Sequence, residues 1–193
     1  LVSFLLIRAY LLARIFKESE RNLGNSPCSY AVIGLGSIAL QQTTPYSDFE
    51  FAILTENNES NTSANLKVKN YYKHLSHLVH FRVINLGETV IPTSRHSLDL
   101  SHLIKTGVIF DLGGKTSLGR IDKDKPYELI QTVDGMLHYL KNINNGTEHR
   151  DKALPWILET TTYVCGNISL VKDYQKKVRE FLLELSYDDV PNY

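Results

Sequence analysis

The stretch Ser29–Glu56, SYAVIGLGSIALQQTTPYSDFEFAILTE, decides how this chain is read. Ala31, Val32 and Ile33 form a short apolar run that stops at Gly34-Leu35-Gly36-Ser37. That pattern predicts a strand ending in a glycine turn. A polar loop follows and closes on Thr44-Pro45-Tyr46-Ser47. Asp48-Phe49-Glu50-Phe51-Ala52-Ile53-Leu54 then reads as a second strand. Residues i and i+2 of a strand share a face, so Asp48 and Glu50 would set two carboxylates side by side. Strands are poor in acids, and two like charges at such spacing repel. A cation is the expected compensation, and hard oxygen ligands suit Mg²⁺ or Mn²⁺. At Gly36 no Cβ keeps a phosphate away from the backbone N–H groups, and Ser37 adds a hydroxyl donor.

This order of Gly-Ser, ten residues and Asp-x-Glu resembles the nucleotidyltransferase superfamily typified by polymerase β. The fuller string GSIALQQTTPYSDFEFAIL looks like its PII-uridylyltransferase-like branch, related to the glutamine-synthetase adenylyltransferases. Gly36, Ser37, Ala39, Pro45, Ser47, Asp48 and Glu50 fit that branch's pattern. Leu40 and Gln42 depart from it, standing where the branch usually carries Arg and Glu. The resemblance is specific over residues 31–56, looser to about residue 120 and weak beyond.

The resemblance implies nucleotidyl transfer. Asp48 and Glu50 would hold the metals, with Gly36, Ser37 and Ser47 at the nucleotide. It also implies a third carboxylate on a third strand. Val79–Leu86 is the strand expected in that place, with Asn85 at the matching position, Glu88 nearby and Asp111 further on. Asp111 is the choice as third acid, and Lys115, in the loop after it, as a further nucleotide contact. Gly114-Lys115-Thr116 is not a Walker A sequence, because Ile109 stands where its first glycine belongs.

Composition sets the frame. The chain has 193 residues, 42% of them hydrophobic and 22% charged, ordinary for a globular protein. Lys and Arg number 21, as do Asp and Glu, so no global basic excess marks nucleic acid as a dedicated partner; a local patch remains open. The two cysteines, Cys28 and Cys165, lie far apart and read as free thiols of a cytoplasmic protein. The first residue is Leu1, so the chain is expected to be part of a longer multidomain protein. Leu1–Phe16 is apolar apart from Ser3, Arg8 and Arg14. It is too short and too charged for a bilayer span and reads as a helix packed on the sheet.

Leu66–Leu78 has the apolar spacing of an amphipathic helix. The last third reads as helical, over Tyr127–Lys141, Pro155–Val164 and a helix that Ser169 would cap. His74, His77 and His80 wind around a helix and make no clean ligand pair. The expected fold is α+β: a small mixed nucleotidyltransferase sheet flanked by helices over residues 1–122, then a helical annex over 123–193. The expected reaction is metal-dependent transfer of UMP or AMP from a nucleoside triphosphate to a hydroxyl, on a protein in the branch resembled. Two other readings stand beside it. One is a non-catalytic nucleotide-sensing or interaction module; the other is a transferase acting on a small molecule or a nucleic acid.

Overall fold

The computed structural model describes residues 2–43, 49–56, 62–84, 129–141 and 154–188. The fold is α+β. Four strands form one mixed sheet in the order β3-β2-β1-β4, where β1 is Tyr30–Gly34, β2 Phe51–Thr55, β3 Ile130–Thr132 and β4 Thr162–Gly166. β1 runs antiparallel to both β2 and β4, while β2 and β3 are parallel.

Helices cover both faces. On one face lie α1 (Val2–Leu23) and α3 (Thr62–Ile84). On the other lie α4 (Val133–Lys141), α5 (Leu154–Glu159) and α6 (Ile168–Asp188). Strand alternation sorts the side chains between them. Tyr30, Val32, Phe51 and Ile53 enter a core with Leu12, Phe16, Tyr72 and Leu75. Ala31, Ile33, Ala52 and Leu54 enter a second core with Met136, Leu158, Val171 and Tyr174. β1 and β2 are buried along their whole length because each face meets a helical layer.

Three sequence expectations change. Residues 79–84 are not a strand; α3 runs through them to Ile84. Val68, Tyr72, Leu75, Val79 and Val83 keep the helical spacing, and all five are buried. Phe81, which a strand would have paired with Val83 on one face, is 63% exposed.

The final third is not wholly helical, since Ile130–Thr132 and Thr162–Gly166 are half of the sheet's strands. The run Thr160-Thr161-Thr162-Tyr163-Val164-Cys165 is rich in β-formers, which favours a strand over continuation of α5. The cap of α6 is Asn167, whose Oδ1 accepts the Ser169 N–H at 2.9 Å, and not Ser169 itself.

A bulge in β4 shifts its register against β1 between Val32 and Ile33. As a result the consecutive residues Val164 and Cys165 both pack against the α1/α3 core. Gly166 closes the strand at φ +91, and a Cβ there would lie 2.4 Å from the Tyr30 carbonyl oxygen. Among the described residues no helix is long and apolar enough to cross a membrane.

Candidate functional site

β1 delivers the chain to Leu35 just past its C-terminal end, beside the start of β2. Gly34 pairs with Phe51, and the Leu35 N–H donates to the Glu50 carbonyl at 2.9 Å. One helical turn follows, α2 (Gly36–Ala39). It closes as a Schellman motif. The Gln42 N–H reaches the Ser37 carbonyl at 2.9 Å, and the Gln41 N–H reaches that of Ile38 at 3.3 Å. Gln41 takes the left-handed position, φ +58, that glycine usually fills. The Gly-Ser pair therefore opens a capped turn. The first N–H groups of such a turn have no acceptor inside it.

Phe49 and Phe51 both enter the α1/α3 core. Glu50, between them, turns the other way and brings its carboxylate onto Gly36. A Cβ built on Gly36 would stand 1.5 Å from Glu50 Oε2, so the acid occupies the space that any other residue would fill. Gly36 also has φ +49, in the left-handed region. Glycine is thus required twice at this position, by backbone conformation and by the carboxylate beside it. Gly36, Ser37 and Glu50 are all half-buried.

Of the residues singled out by sequence, the structure brings Gly36 and Glu50 together, with Ser37 next in the chain. Ser47, Asp48, Asn85, Glu88, Asp111 and Lys115 lie outside the described residues. Among the described residues no three His, Cys, Asp or Glu side chains form a metal-holding cluster. Among the described residues it is Glu50 that brings a carboxylate onto the turn. An oxygen donor beside backbone N–H groups fits the chemistry of a hard cation shared with a phosphate.

The two thiols sit away from this turn. Both are free. Cys28 belongs to a hydrogen-bonded knot that pins α3 to the loop before β1. Tyr72 Oη donates to the Cys28 carbonyl at 2.9 Å and lies 2.6 Å from Ser26 Oγ, while Tyr71 Oη donates to the Gly24 carbonyl at 2.6 Å. Burial raises the Cys28 thiol above its usual range and pushes that of Cys165 up to about 12. Both therefore stay protonated at neutral pH, which suits packing and not nucleophilic chemistry.

Sequence reasoning missed β3 and β4. β3 runs parallel to β2, with Ile53 opposite Ile130 and the Ile53 N–H donating to the Leu129 carbonyl at 2.8 Å. Its signal was the short β-prone run Leu129–Thr132, which the helix-like spacing after it obscured. Comparison of the chain with known families, with curated proteins and with solved structures returns no match.

Proposed function

We propose that this chain is a metal-dependent nucleotidyltransferase. It would move UMP or AMP from a nucleoside triphosphate to a hydroxyl, with a protein side chain as the acceptor. The observation that carries the reading is the Glu50 carboxylate seated against Gly36 at the opening of the Gly36-Ser37 turn. The order of elements adds support: strand, Gly-Ser turn, acidic strand start, helix and a third strand parallel to the second.

In this reading the Gly36 and Ser37 N–H groups and the Ser37 hydroxyl orient the β- and γ-phosphates. Glu50 and Asp48 would hold Mg²⁺ or Mn²⁺, which would neutralise charge on the attacking and leaving oxygens. The acceptor oxygen attacks the α-phosphorus, the bond from that phosphorus to the bridging oxygen of the β-phosphate breaks, and pyrophosphate departs. The hydroxyl proton passes to a carboxylate.

Incorporation of α-labelled ATP or UTP into protein tests this, read beside a thermal melt. Glu50→Gln and Asp48→Asn should each cut incorporation at least ~100-fold, the scale for losing one group that stabilises transition-state charge. Their melts should stay cooperative. Full activity in either variant would overturn the assignment. Mg²⁺-dependent nucleotide binding with no transfer to any acceptor would favour a sensing module, a reading that the 55%-exposed Leu40 beside the turn supports.

A further inference from the structure

The equal totals of acid and base conceal an uneven placement. By sequence, α1 carries Arg8, Arg14, Lys17 and Arg21 against Glu18 and Glu20. α3 carries Lys67, Lys69, Lys73 and Arg82, three histidines and no acid at all. The layer formed by these two helices thus has eight basic residues and two acidic ones. The opposite layer is close to balance: α4, α5 and α6 hold five basic residues and six acidic ones.

The basic layer also has a groove. A space of about 630 Å³ lies between α1 and the end of β4, bounded by Tyr10, Arg14, Lys17 and Arg21 on the helix and by Tyr30 and Gly166 on the sheet. Positions 10, 14, 17 and 21 follow one another along a single helix face. The eleven helical steps from residue 10 to residue 21 make this stripe about 16 Å long. Tyr10, Arg14, Lys17 and Arg21 are all exposed, Tyr10 at 65%.

The two acids at the groove are already engaged. Glu18 pairs with Arg21 at 2.7 Å, and Glu20 accepts from Tyr30 Oη at 3.1 Å. Among the described residues no carboxylate pairs with Arg14 or Lys17.

We propose that this groove binds single-stranded nucleic acid, with backbone phosphates on Arg14 and Lys17 and a base stacked on Tyr10. A row of cations in a concave track with an exposed aromatic ring is the arrangement that holds a single strand without reading its sequence. The length of the stripe favours a strand over a mononucleotide. The concavity favours a strand over a flat anionic membrane. This inference does not rest on the nucleotidyl-transfer reading, and its test contains neither nucleoside triphosphate nor metal.

Fluorescence anisotropy of a labelled twelve-nucleotide single strand with the 193-residue chain provides the test, at 50 and 200 mM salt. Dissociation constants of about 10⁻⁴ to 10⁻⁶ M are expected, weakening as salt rises. The double variant Arg14→Ala/Lys17→Ala should lose at least tenfold in affinity at 50 mM salt. Its log–log salt slope should shrink by about 1.4, two phosphates at about 0.7 each. Tyr10→Ala should weaken binding with the salt slope unchanged. Lys172→Ala/Lys176→Ala, on the exposed face of α6, should bind as the parent does. Far-UV circular dichroism confirms that each variant is folded. The proposal is overturned by absence of binding, by equal loss in the α6 variant, by UMP competing as well as the strand, or by binding to phosphatidylserine vesicles without binding to the oligonucleotide.

Discussion

The two helical layers meet the same strands and are built by different means. The α1/α3 layer comes from the first half of the chain and the α4/α5/α6 layer from the second. The first is aromatic and hydrogen-bonded. Phe16 meets Phe51 edge-on at 5.2 Å, Tyr30 packs on Tyr72 at 5.1 Å, and the Tyr71 and Tyr72 hydroxyls fasten α3 to the loop before β1. The second is aliphatic, with one buried hydroxyl bond from Tyr174 to the Leu158 carbonyl and an exposed ion pair from α6 to α4. Neither layer closes a core alone, because alternate residues of β1 and β2 feed both. The contrast teaches that chemistry and charge can be segregated by layer while the sheet keeps folding common to both.

Sharing the strands makes the layers one cooperative unit, and the largest expected effect tests that. Phe16→Ala removes a fully buried ring from the α1/α3 core and should cost about 3–5 kcal/mol. The transition should fall by roughly 10 °C. Trp156, the single tryptophan, falls within α5, in the second half of the chain, and gives a probe of that half. Fluorescence and far-UV circular dichroism should melt together. A fluorescence transition that stays in place while the ellipticity shifts would break the layers into independent units and support a boundary near residue 122.

Gly166→Ala attacks the join between the two halves and ranks next. Residue 166 sits at φ +91, and the added Cβ would lie 2.4 Å from the Tyr30 carbonyl oxygen and 2.8 Å from the Ala31 Cα, both backbone atoms that cannot swing aside. The cost should be about 2–3 kcal/mol, combining left-handed strain with displacement of β1. Gly36→Ala meets a side chain instead, the Glu50 carboxylate. It should cost less stability and more activity. Measuring melting and nucleotide incorporation in both variants separates the structural glycine from the one at the site.

Single hydroxyls compare the layers at finer scale. Tyr174→Phe and Tyr72→Phe each strip a bond to a backbone carbonyl and should cost about 1–1.5 kcal/mol in urea unfolding. Burial raises both phenols above their usual range, along with Tyr30, and holds the Cys165 thiol at about 12. These groups are neutral when protonated, and their folded values exceed the unfolded ones. Their stability is thus complete below the unfolded values, near 9 for thiol and 10 for phenol, and lost as pH rises beyond them. Melting temperature should therefore be flat from pH 7 to 8.5 and fall from about pH 9 upward. A rise over that range would contradict the burial of all four groups.

How much of this was legible in the sequence differs between the same two halves. The segment around Gly36 was readable because strand, turn and strand are local, and each residue type has one physical use there. The α3 helix was legible at its start, but its end was misread: Phe81, Val83 and Asn85 also fit a two-residue period, and only the burial of Val79 and Val83 with exposure of Phe81 decides for the helix. β3 and β4 were not legible. β3 is three residues long, and β4 earns its place by pairing with Ala31–Gly34, more than a hundred residues away. The groove stripe was hidden by its own helix, since Arg14 read as a break in the apolar run Leu1–Phe16, and Lys17 and Arg21 as residues beyond it, until the burial of Leu12, Ile15 and Phe16 gave that helix a side. The discovery that the third strand is Ile130–Thr132 also moves the search for the third acid. Glu128 stands two residues ahead of Ile130 in the sequence. Glu128→Gln should reduce nucleotide incorporation more than Asp111→Ala does, and the opposite ranking would restore Asp111.

The smallest effect sharpens the contrast between layers from the charged side. Lys177 on α6 reaches Asp134 on α4 at 2.7 Å and Asp173, one turn back on its own helix, at 3.4 Å. The hydrogen bond to Asp134 is the main reason its ammonium is held above the ordinary lysine range. Yet Asp134 is 67% exposed and Lys177 32%, so water and salt screen the pair. Lys177→Met keeps most of the stem that lies along the helix and removes the charge. It should cost no more than about 0.5–1 kcal/mol in 50 mM salt, and less in 1 M salt, where the attraction is screened. The raised ammonium loses its proton only far above neutrality, so this difference should not change between pH 6 and 9. The aliphatic core beneath, with Val171, Tyr174 and Val178 of α6 against Met136 and Leu140 of α4, is what fastens these helices. A loss above 2 kcal/mol, or one that persists in 1 M salt, would mean that the α4/α6 layer depends on its polar tie as the α1/α3 layer depends on its tyrosines.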